Sequence, residues 1–208
     1  MKVLFLIPYP LQKAGSQRFR FEQYFIHLKN EGIHYSIQPF LSSSTWEVIY
    51  SKGNLIKKGF GILLGFIKRY LMLFSLNKYD FVFIHREASP IGPPIIEWCI
   101  AKIWKKKIIF DFDDAIWLPN NSESNKAFSF LKLHGNVAKI CSWAYKVSCG
   151  NDYLSRFAKK YNSNVLVNPT TIDTEGHHNN EKDFSINHDL ITIGWTGSHS
   201  TEIYLYDL

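Results

Sequence analysis

The chain has 208 residues, of which 46% are hydrophobic and 16% aromatic, and its formal net charge is +6. This apolar content excludes a disordered chain and is enough for one well-buried domain and part of a second. The positive charge raises the question of an anionic partner. The three cysteines are far apart in apolar segments, which is typical of reduced, buried thiols and not of a disulfide framework or a zinc site.

The chain begins with an apolar strand. Met1 and Lys2 lead directly into five apolar residues and then Pro8, with no cleavage site. Because this run is too short for a signal peptide, we expect a protein that is made and kept in the cytoplasm.

Short apolar runs then alternate with segments of helical periodicity. We predict six strands, at Lys2–Ile7, 33–40, Phe81–His85, Lys107–Phe112, Lys146–Cys149 and 164–167. Several are apolar on both faces, as expected of strands that helices cover on both sides. The alternation predicts an α/β fold with a doubly wound, Rossmann-like parallel sheet.

Two segments between these strands carry helix patterns. Before the second strand, apolar residues recur at the spacing of one buried helix face, and Gly32 follows as a stop. This stripe consists of Phe21, Tyr24, Phe25 and Leu28. After the fifth strand, Asn151 is a predicted N-cap. The stripe that follows it consists of Leu154, Phe157, Ala158 and Tyr161.

Basic and large apolar residues are interleaved in residues 52–78. The basic residues are Lys52, Lys57, Lys58, Lys68, Arg69 and Lys78. The pattern fits a surface helix whose apolar face packs on the sheet, and it also fits peripheral contact with the anionic inner face of the cell membrane. A transmembrane span is excluded because residues 60–76 form a short run with Lys68 and Arg69 at its middle.

The character of the sequence changes after Pro169. We predict a first domain at 1–172, a polar linker at 173–189, and the start of a truncated second domain at 190–208. The histidines of this region match no metal-ligand spacing, so we predict no metal site there. They are His177, His178, His188 and His199.

Ligands of open α/β sheets bind at the carboxyl ends of strands, and the loop after the first strand is one such place. Gly15 and Ser16 open a helix there, and Arg18 and Arg20 carry forked donors that suit phosphate or carboxylate. The alternative is a capped helix with exposed arginines.

Charged residues also follow the third strand. Arg86 and Glu87 come directly after His85 and before a proline-marked helix start, where they would face the same crevice. The alternative is a surface ion pair between Arg86 and Glu87.

The fourth strand ends in three carboxylates within four positions, at Asp111, Asp113 and Asp114. They repel one another, and burying them is costly unless a cation, a sugar hydroxyl or one of the arginines pairs with them. Asp114 lies past the strand end, so Asp113 and Asp114 are the pair that we expect to meet a substrate.

A fourth loop opens the second domain at Gly197, Ser198 and His199. A diphosphate could rest on its backbone amides. The loop is not a P-loop, because no Gly-Lys-Ser/Thr follows.

In this order, the motifs resemble glycosyltransferase family 4, whose members are retaining enzymes of the GT-B fold. The resemblance spans nearly the whole chain. It is carried by the loop of Gly15 and Ser16, the strand end of Asp113 and Asp114, and residues 147–154 (VSCGNDYL), 165–173 (VLVNPTTID) and 193–198 (IGWTGS).

The resemblance implies two Rossmann-like domains that face each other across a cleft. The first would bind a glycan or lipid-linked acceptor of cell-surface polysaccharide synthesis, and the second a nucleotide-diphosphate sugar as co-substrate. Transfer would retain the anomeric configuration without a metal or another cofactor, and nucleic acid is not an expected partner. Asp113 would stand where many members have a histidine near the reacting sugar, and Gly15 would lie against the donor diphosphate.

The strand-end positions and the resemblance together divide the candidate residues into three groups. Asp113 and Asp114 would be catalytic. Residues Gly15, Ser16, Arg18, Arg20, Arg86 and Glu87 would bind substrate, and Gly197, Ser198 and His199 would bind the donor. The basic pair and the distal glutamate motif of the family have no counterpart before Leu208, so we expect this segment alone to be inactive.

Two other interpretations stay open. The chain fits a non-catalytic binding remnant of a split or truncated gene. It also fits, less well, a haloacid-dehalogenase-type phosphatase that uses Asp111 and Asp113, although its motif lies on the fourth strand and lacks the usual hydroxyl residue. A metal-binding Asp-x-Asp site of the GT-A type agrees less well with the doubly wound pattern.

Overall fold

A single sheet of six parallel strands organises the described part of the chain. The computed structural model describes residues 1–49, 51, 53–118 and 135–176. The strands are β1 (Lys2–Ile7), β2 (His34–Pro39), β3 (Phe81–His85), β4 (Lys107–Phe112), β5 (Lys146–Cys149) and β6 (Val165–Val167). Their spatial order is β2-β1-β3-β4-β5-β6, and every pair is parallel. All six predicted strands are confirmed, with β2 and β6 shorter than predicted.

Helices alternate with the strands and cover both faces of the sheet. They are α1 (Gly15–Arg20), α2 (Phe25–Asn30), α3 (Ser43–Ile49), α4 (Leu55–Leu73), α5 (Ile95–Trp98), α6 (Asn136–Trp143) and α7 (Asp152–Ala158). Short 3₁₀ turns lie at Glu22–Tyr24 and Leu76–Lys78, and a π-helical turn at Cys99–Ile103 continues α5. The predicted α/β fold is confirmed at this level. The predicted linker and second domain fall almost wholly within residues 177–208, outside the described residues.

Successive residues of β1 face two different hydrophobic cores. Phe5 and its neighbours two residues away pack with Phe21, Phe25 and Leu28 on one face. Leu4 and Leu6 belong to a larger core on the other face, with residues of α4 to α7. Because side chains alternate along a strand, burial on both faces requires the continuous apolar run that β1 shows.

The prediction of one continuous helix before β2 is wrong. The structure divides it into α1, a 3₁₀ turn and α2, because Phe21 leaves the helical region at φ −148° and points into the core of Phe5 and Phe83. Tyr24 therefore leaves the buried stripe and is 39% exposed.

The predicted cap of the last helix is confirmed. The Asn151 side chain accepts a hydrogen bond from the Leu154 N–H at 3.0 Å. This bond satisfies one of the helix-start amides that have no partner inside the helix.

The cysteines are free thiols. Cys141 and Cys149 are buried, and Cys99 is half-buried. Burial raises the pKa of Cys141 and of Cys149 to about 12. Both thiols are therefore protonated at neutral pH and are poor nucleophiles.

Arg69 of α4 is buried, so the prediction that it belongs to the basic surface is wrong. Its guanidinium donates to the carbonyl oxygens of Ile7 at 2.8 Å, Gln38 at 2.7 Å and Ala88 at 2.7 Å. These carbonyls lie at the end of β1, near the end of β2 and just after β3. One side chain thereby holds three chain segments together at the carboxyl edge of the sheet.

Two glycines let α4 come close enough for this contact. A Cβ on Gly61 would lie 2.4 Å from the Thr45 side chain, and one on Gly65 would lie 2.8 Å from the Phe40 ring. Since neither distance is tolerated by real Cβ atoms, both positions require glycine.

Glu97 also binds the chain segment after β3. Its Oε1 accepts from the Ala88 N–H at 2.8 Å, while Arg69 binds the Ala88 carbonyl. Burial raises the pKa of Glu97 to about 7. The N–H and the carbonyl of Ala88 thus each have a buried ionisable side chain as partner.

We expect Arg69→Met to lower the free energy of unfolding by about 3 kcal/mol or more, because it removes the hydrogen bonds of a buried guanidinium to three backbone carbonyls. Urea denaturation measures the change. Lys68→Met is the matched control, because Lys68 is exposed, and it should change stability by less than about 0.5 kcal/mol. Equal effects of the two substitutions would contradict this role of Arg69.

Candidate functional site

The candidate site lies where the strand order reverses. β1 pairs with β2 on one side and with β3 on the other, so the crossover from β1 to β2 and the crossover from β2 to β3 run in opposite directions. In open α/β sheets, ligands bind at the carboxyl ends of such a strand pair. Here Ser16 of α1 meets His85 at the end of β3, with 2.9 Å between Ser16 Oγ and His85 Nε2.

Asp111, at the end of β4, lies beneath this contact. Its Oδ2 is 2.9 Å from His85 Nδ1 and 3.3 Å from Arg20 Nε, and Arg20 Nη2 donates to its Oδ1. The three side chains are almost fully buried. Burial raises the pKa of Asp111, but the hydrogen bonds from His85 and Arg20 outweigh this effect and hold the pKa below its usual range. Asp111 is therefore ionised at neutral pH.

This carboxylate orients the imidazole. In the neutral tautomer that donates from Nδ1 to Asp111, Nε2 of His85 is an acceptor for the Ser16 hydroxyl. Ser16, unlike His85, is only half-buried. The arrangement can polarise a hydroxyl at the end of the crevice and pass its proton to a buried base.

Arg86 forms ion pairs with the other two carboxylates at the end of β4, those of Asp113 and Asp114. Its Nη2 is 3.1 Å from Asp113 Oδ1 and also donates to Asp114 Oδ2. Burial lowers the pKa of Arg86, but the charges of Asp113 and Asp114 outweigh it and raise this pKa. Two carboxylates share one guanidinium, so the group keeps a negative charge, with the Asp114 side chain 63% exposed. It can accept hydrogen bonds from hydroxyl groups of a ligand.

The backbone of Arg86 is in an unusual conformation. Its φ is +63°, a left-handed value that residues other than glycine seldom adopt. Its N–H donates to the Asp111 carbonyl at 2.7 Å, and the Glu87 N–H donates to the His85 carbonyl at 2.8 Å. Strain of this kind concentrates at functional sites, where the surrounding structure enforces it.

The predicted loop residues after β1 have different environments. Gly15 has open space, because a Cβ there would be 3.9 Å from its nearest neighbour, in Phe19. Arg18 is exposed, with its guanidinium 5.2 Å from the Phe19 ring centre. The alternative of exposed arginines is wrong for Arg20, which is buried on Asp111 and also donates to the Asn168 carbonyl.

Two residues that the sequence did not single out hold this loop. Gln17 is fully buried, accepts from the Tyr9 N–H at 3.0 Å and donates to the Tyr9 carbonyl at 3.1 Å. Glu22 accepts from the Gln12 N–H at 2.9 Å and from Gln17 at 3.1 Å. Their role could not be read from the sequence, because both lie in a segment that is already rich in polar residues.

The site also depends on Gly150, after β5. A Cβ at this position would lie 3.1 Å from the Asp113 Cα, closer than nearly all real contacts. The Gly150 N–H donates to the Phe112 carbonyl at 3.0 Å. This glycine therefore allows the close approach that positions Asp113.

Stacked aromatic rings flank the same edge. The Trp117 ring lies 3.8 Å from the Phe157 ring and parallel to it, and 6.0 Å from the Tyr153 ring. Tyr153 is half-exposed. Neither Trp117 nor Tyr153 was predicted as a site residue. An aromatic residue in a loop or in the apolar stripe of a helix cannot be told from an ordinary core residue by its sequence.

The remaining predicted residues divide into two groups. Glu87 is half-buried, and its charge helps to raise the pKa of Glu97. Gly197, Ser198 and His199 lie outside the described residues.

The described residues contain neither a metal-ligand cluster nor a membrane-spanning helix. No group of three or more histidine, cysteine, aspartate or glutamate side chains there is arranged to hold a metal ion. In the same part of the chain, every helix is too short or too polar to cross a membrane.

Comparison with known protein families and with curated proteins gave no match to this chain.

The left-handed backbone at Arg86 predicts that glycine is more stable than alanine at this position, whereas alanine is usually the more stable of the two inside a helix. We expect Arg86→Gly to be more stable than Arg86→Ala by about 1 kcal/mol, because both lose the ion pairs and only glycine accepts the positive φ freely. Thermal or urea denaturation measures the difference.

The control is Arg156, an exposed residue inside α7. At this position the alanine variant should be more stable to unfolding than the glycine variant, by about 1 kcal/mol. An Arg86→Ala variant at least as stable as Arg86→Gly would show that the left-handed backbone is absent in solution.

Proposed function

We propose that this chain is the acceptor-binding part of a sugar-nucleotide-dependent glycosyltransferase of the GT-B type. One observation carries the proposal: the chain segments that end β1, β3 and β4 bring polar side chains to one crevice at the β1/β3 switch point. These side chains are Ser16, His85, Arg86, Asp113 and Asp114. The resemblance to glycosyltransferase family 4 involves the same loops.

The chemistry of the crevice suits a sugar hydroxyl. Asp113 and Asp114 offer acceptor oxygens, Arg86 offers donors that fix where those oxygens lie, and Tyr153 offers an exposed ring face. Carbohydrates need both hydrogen-bonding groups and a flat apolar surface for their C–H faces.

The proposed roles follow from position. Asp113 lies at the reacting centre and aligns the acceptor hydroxyl with Asp114, while Gly15 leaves room for the donor diphosphate. The chain of Ser16, His85 and Asp111 can take up or return a proton when the acceptor oxygen attacks. Residues 197–199 bind the donor in this proposal.

Asp111 is a poor candidate for the phosphatase alternative. A phosphatase nucleophile must reach its substrate, but both Asp111 oxygens are bonded to buried partners and the residue is 1% exposed. A binding remnant would keep the same crevice and would differ only in lacking turnover.

The direct test is release of nucleoside diphosphate from a panel of sugar nucleotides by the protein expressed from its natural gene, in EDTA. We expect metal-independent release that falls on the order of 100-fold or more in Asp113→Asn, which keeps the side-chain volume and removes the charge. Asp80→Asn is the control, because Asp80 binds the Lys2 N–H at the opposite edge of the sheet. No release from any donor, or release only with Mg²⁺ or Mn²⁺, would refute the proposal.

Gly15→Ala separates ligand contact from folding. Since a Cβ at Gly15 meets nothing closer than 3.9 Å, we expect unchanged or slightly higher stability together with a loss of turnover on the order of 100-fold. Gly135→Ala, at another open position, should change neither. Full turnover in Gly15→Ala would show that no substrate approaches this backbone.

A further inference from the structure

Helix α4 presents its apolar side to solvent. Its buried face consists of small or polar residues at Gly61, Gly65 and Arg69, followed by Met72 and Leu73. The outward stripe consists of Ile56, Phe60, Leu63, Ile67, Leu71 and Phe74, which are 43% to 89% exposed. These six residues recur at intervals of three and four, so they form one continuous face along the whole helix. We call it the outer face of α4.

An apolar face of this extent on a solvated helix needs a partner. Scattered apolar residues are common on protein surfaces, but a contiguous stripe along a helix of 19 residues marks an interaction surface. The helix is about 28 Å long, at about 1.5 Å per residue, so the stripe is too long for a small ligand.

The charges beside the stripe indicate what that partner is. Lys57 and Lys68 are exposed, and each follows a residue of the stripe by one position, which places both on the same flank. No acidic residue occurs between Glu47 and Asp80. A surface that is apolar along its centre, basic at its flank and without acids is complementary to an anionic lipid headgroup layer.

A second copy of the chain fits this surface less well. Pairing two outer faces would bring the lysines of both copies together with no carboxylate from α4 to neutralise them. A bilayer supplies both the apolar phase and the negative charge.

We propose that the outer face of α4 is a docking surface for an anionic membrane, on which the helix lies parallel to the bilayer plane. Phe60, Leu63 and Ile67 enter the acyl boundary, while Lys57 and Lys68 bind headgroup phosphates. The inference rests on the exposed face of α4 and is independent of the proposed sugar transfer.

The docking surface lies beside the candidate site. Arg69 of the same helix binds the carboxyl ends of β1 and β2, and Leu55 begins the helix about 20 Å away from Arg69. In that stretch Gly61 packs on Thr45 of α3, which follows the end of β2. The outer face therefore continues past the edge of the sheet at which Ser16, His85 and Asp113 converge, and a docked membrane would hold lipid-linked ligands next to that edge.

Vesicle flotation tests the proposal. The chain should bind vesicles of phosphatidylcholine with phosphatidylglycerol much more tightly than vesicles of phosphatidylcholine alone, and added salt should weaken the binding. The pair Lys57→Gln and Lys68→Gln should lower the partition coefficient about 25-fold, at about fivefold per lysine. Phe60→Ser with Leu63→Ser should lower it at least tenfold.

The matched control is Ile103→Ser with Lys102→Gln, an exposed apolar and basic pair away from α4, which should bind as the unaltered chain does. Circular dichroism establishes that each variant is folded. Unchanged binding of both α4 variants would overturn the proposal. So would light scattering that shows a dimer which Phe60→Ser dissociates, because a second copy would then cover the face. Neither result depends on turnover of a sugar nucleotide.

Discussion

The Asp111 carboxylate is buried beneath the loops that follow β1 and β3, where a charge is stable only if it is paired. Arg20 and His85 provide the pairing, and each ties a different segment to the end of β4. Arg20 also donates to Ser148 on β5 and to the carbonyl of Asn168 after β6. The network of Asp111, Arg20 and His85 thus joins α1 to the carboxyl ends of β3, β4, β5 and β6. The position of Ser16, and with it the shape of the crevice, depends on this network.

A second buried cation has the same function on the other side of β1. Arg69 binds the ends of β1 and β2 and, together with Glu97, both polar groups of Ala88. The segment after β3 is consequently held from both sides, by Arg69 and by the bond from the Arg86 N–H to the Asp111 carbonyl. Such anchoring explains how Arg86 keeps a backbone conformation that costs free energy. The cost is balanced by interactions that hold its guanidinium over Asp113 and Asp114.

Most of the fold was predictable, because strands buried on both faces leave long apolar runs that are hard to misread. The convergence of polar side chains at the carboxyl ends of β1, β3 and β4 was likewise predictable, because the ends of parallel strands meet at one edge of the sheet. The pairing of individual charged residues was not predictable. Asp111 and Asp113 are two residues apart in sequence, yet one faces Arg20 and the other Arg86. The burial of Arg69 was missed because Arg69 directly follows Lys68, and two adjacent basic residues in a helix pattern are typical of a solvent-exposed surface. Long-range packing decides these contacts, and local sequence does not record it.

We propose that the carboxyl edge at the β1/β3 switch point binds the reacting sugar. A crystal structure of the natural protein with a sugar nucleotide and an acceptor is the most direct test. We expect density for the acceptor hydroxyl within hydrogen-bonding distance of Asp113, with the donor diphosphate against the backbone of Gly15. Density for both ligands away from Ser16, Arg86 and Asp113 would contradict it.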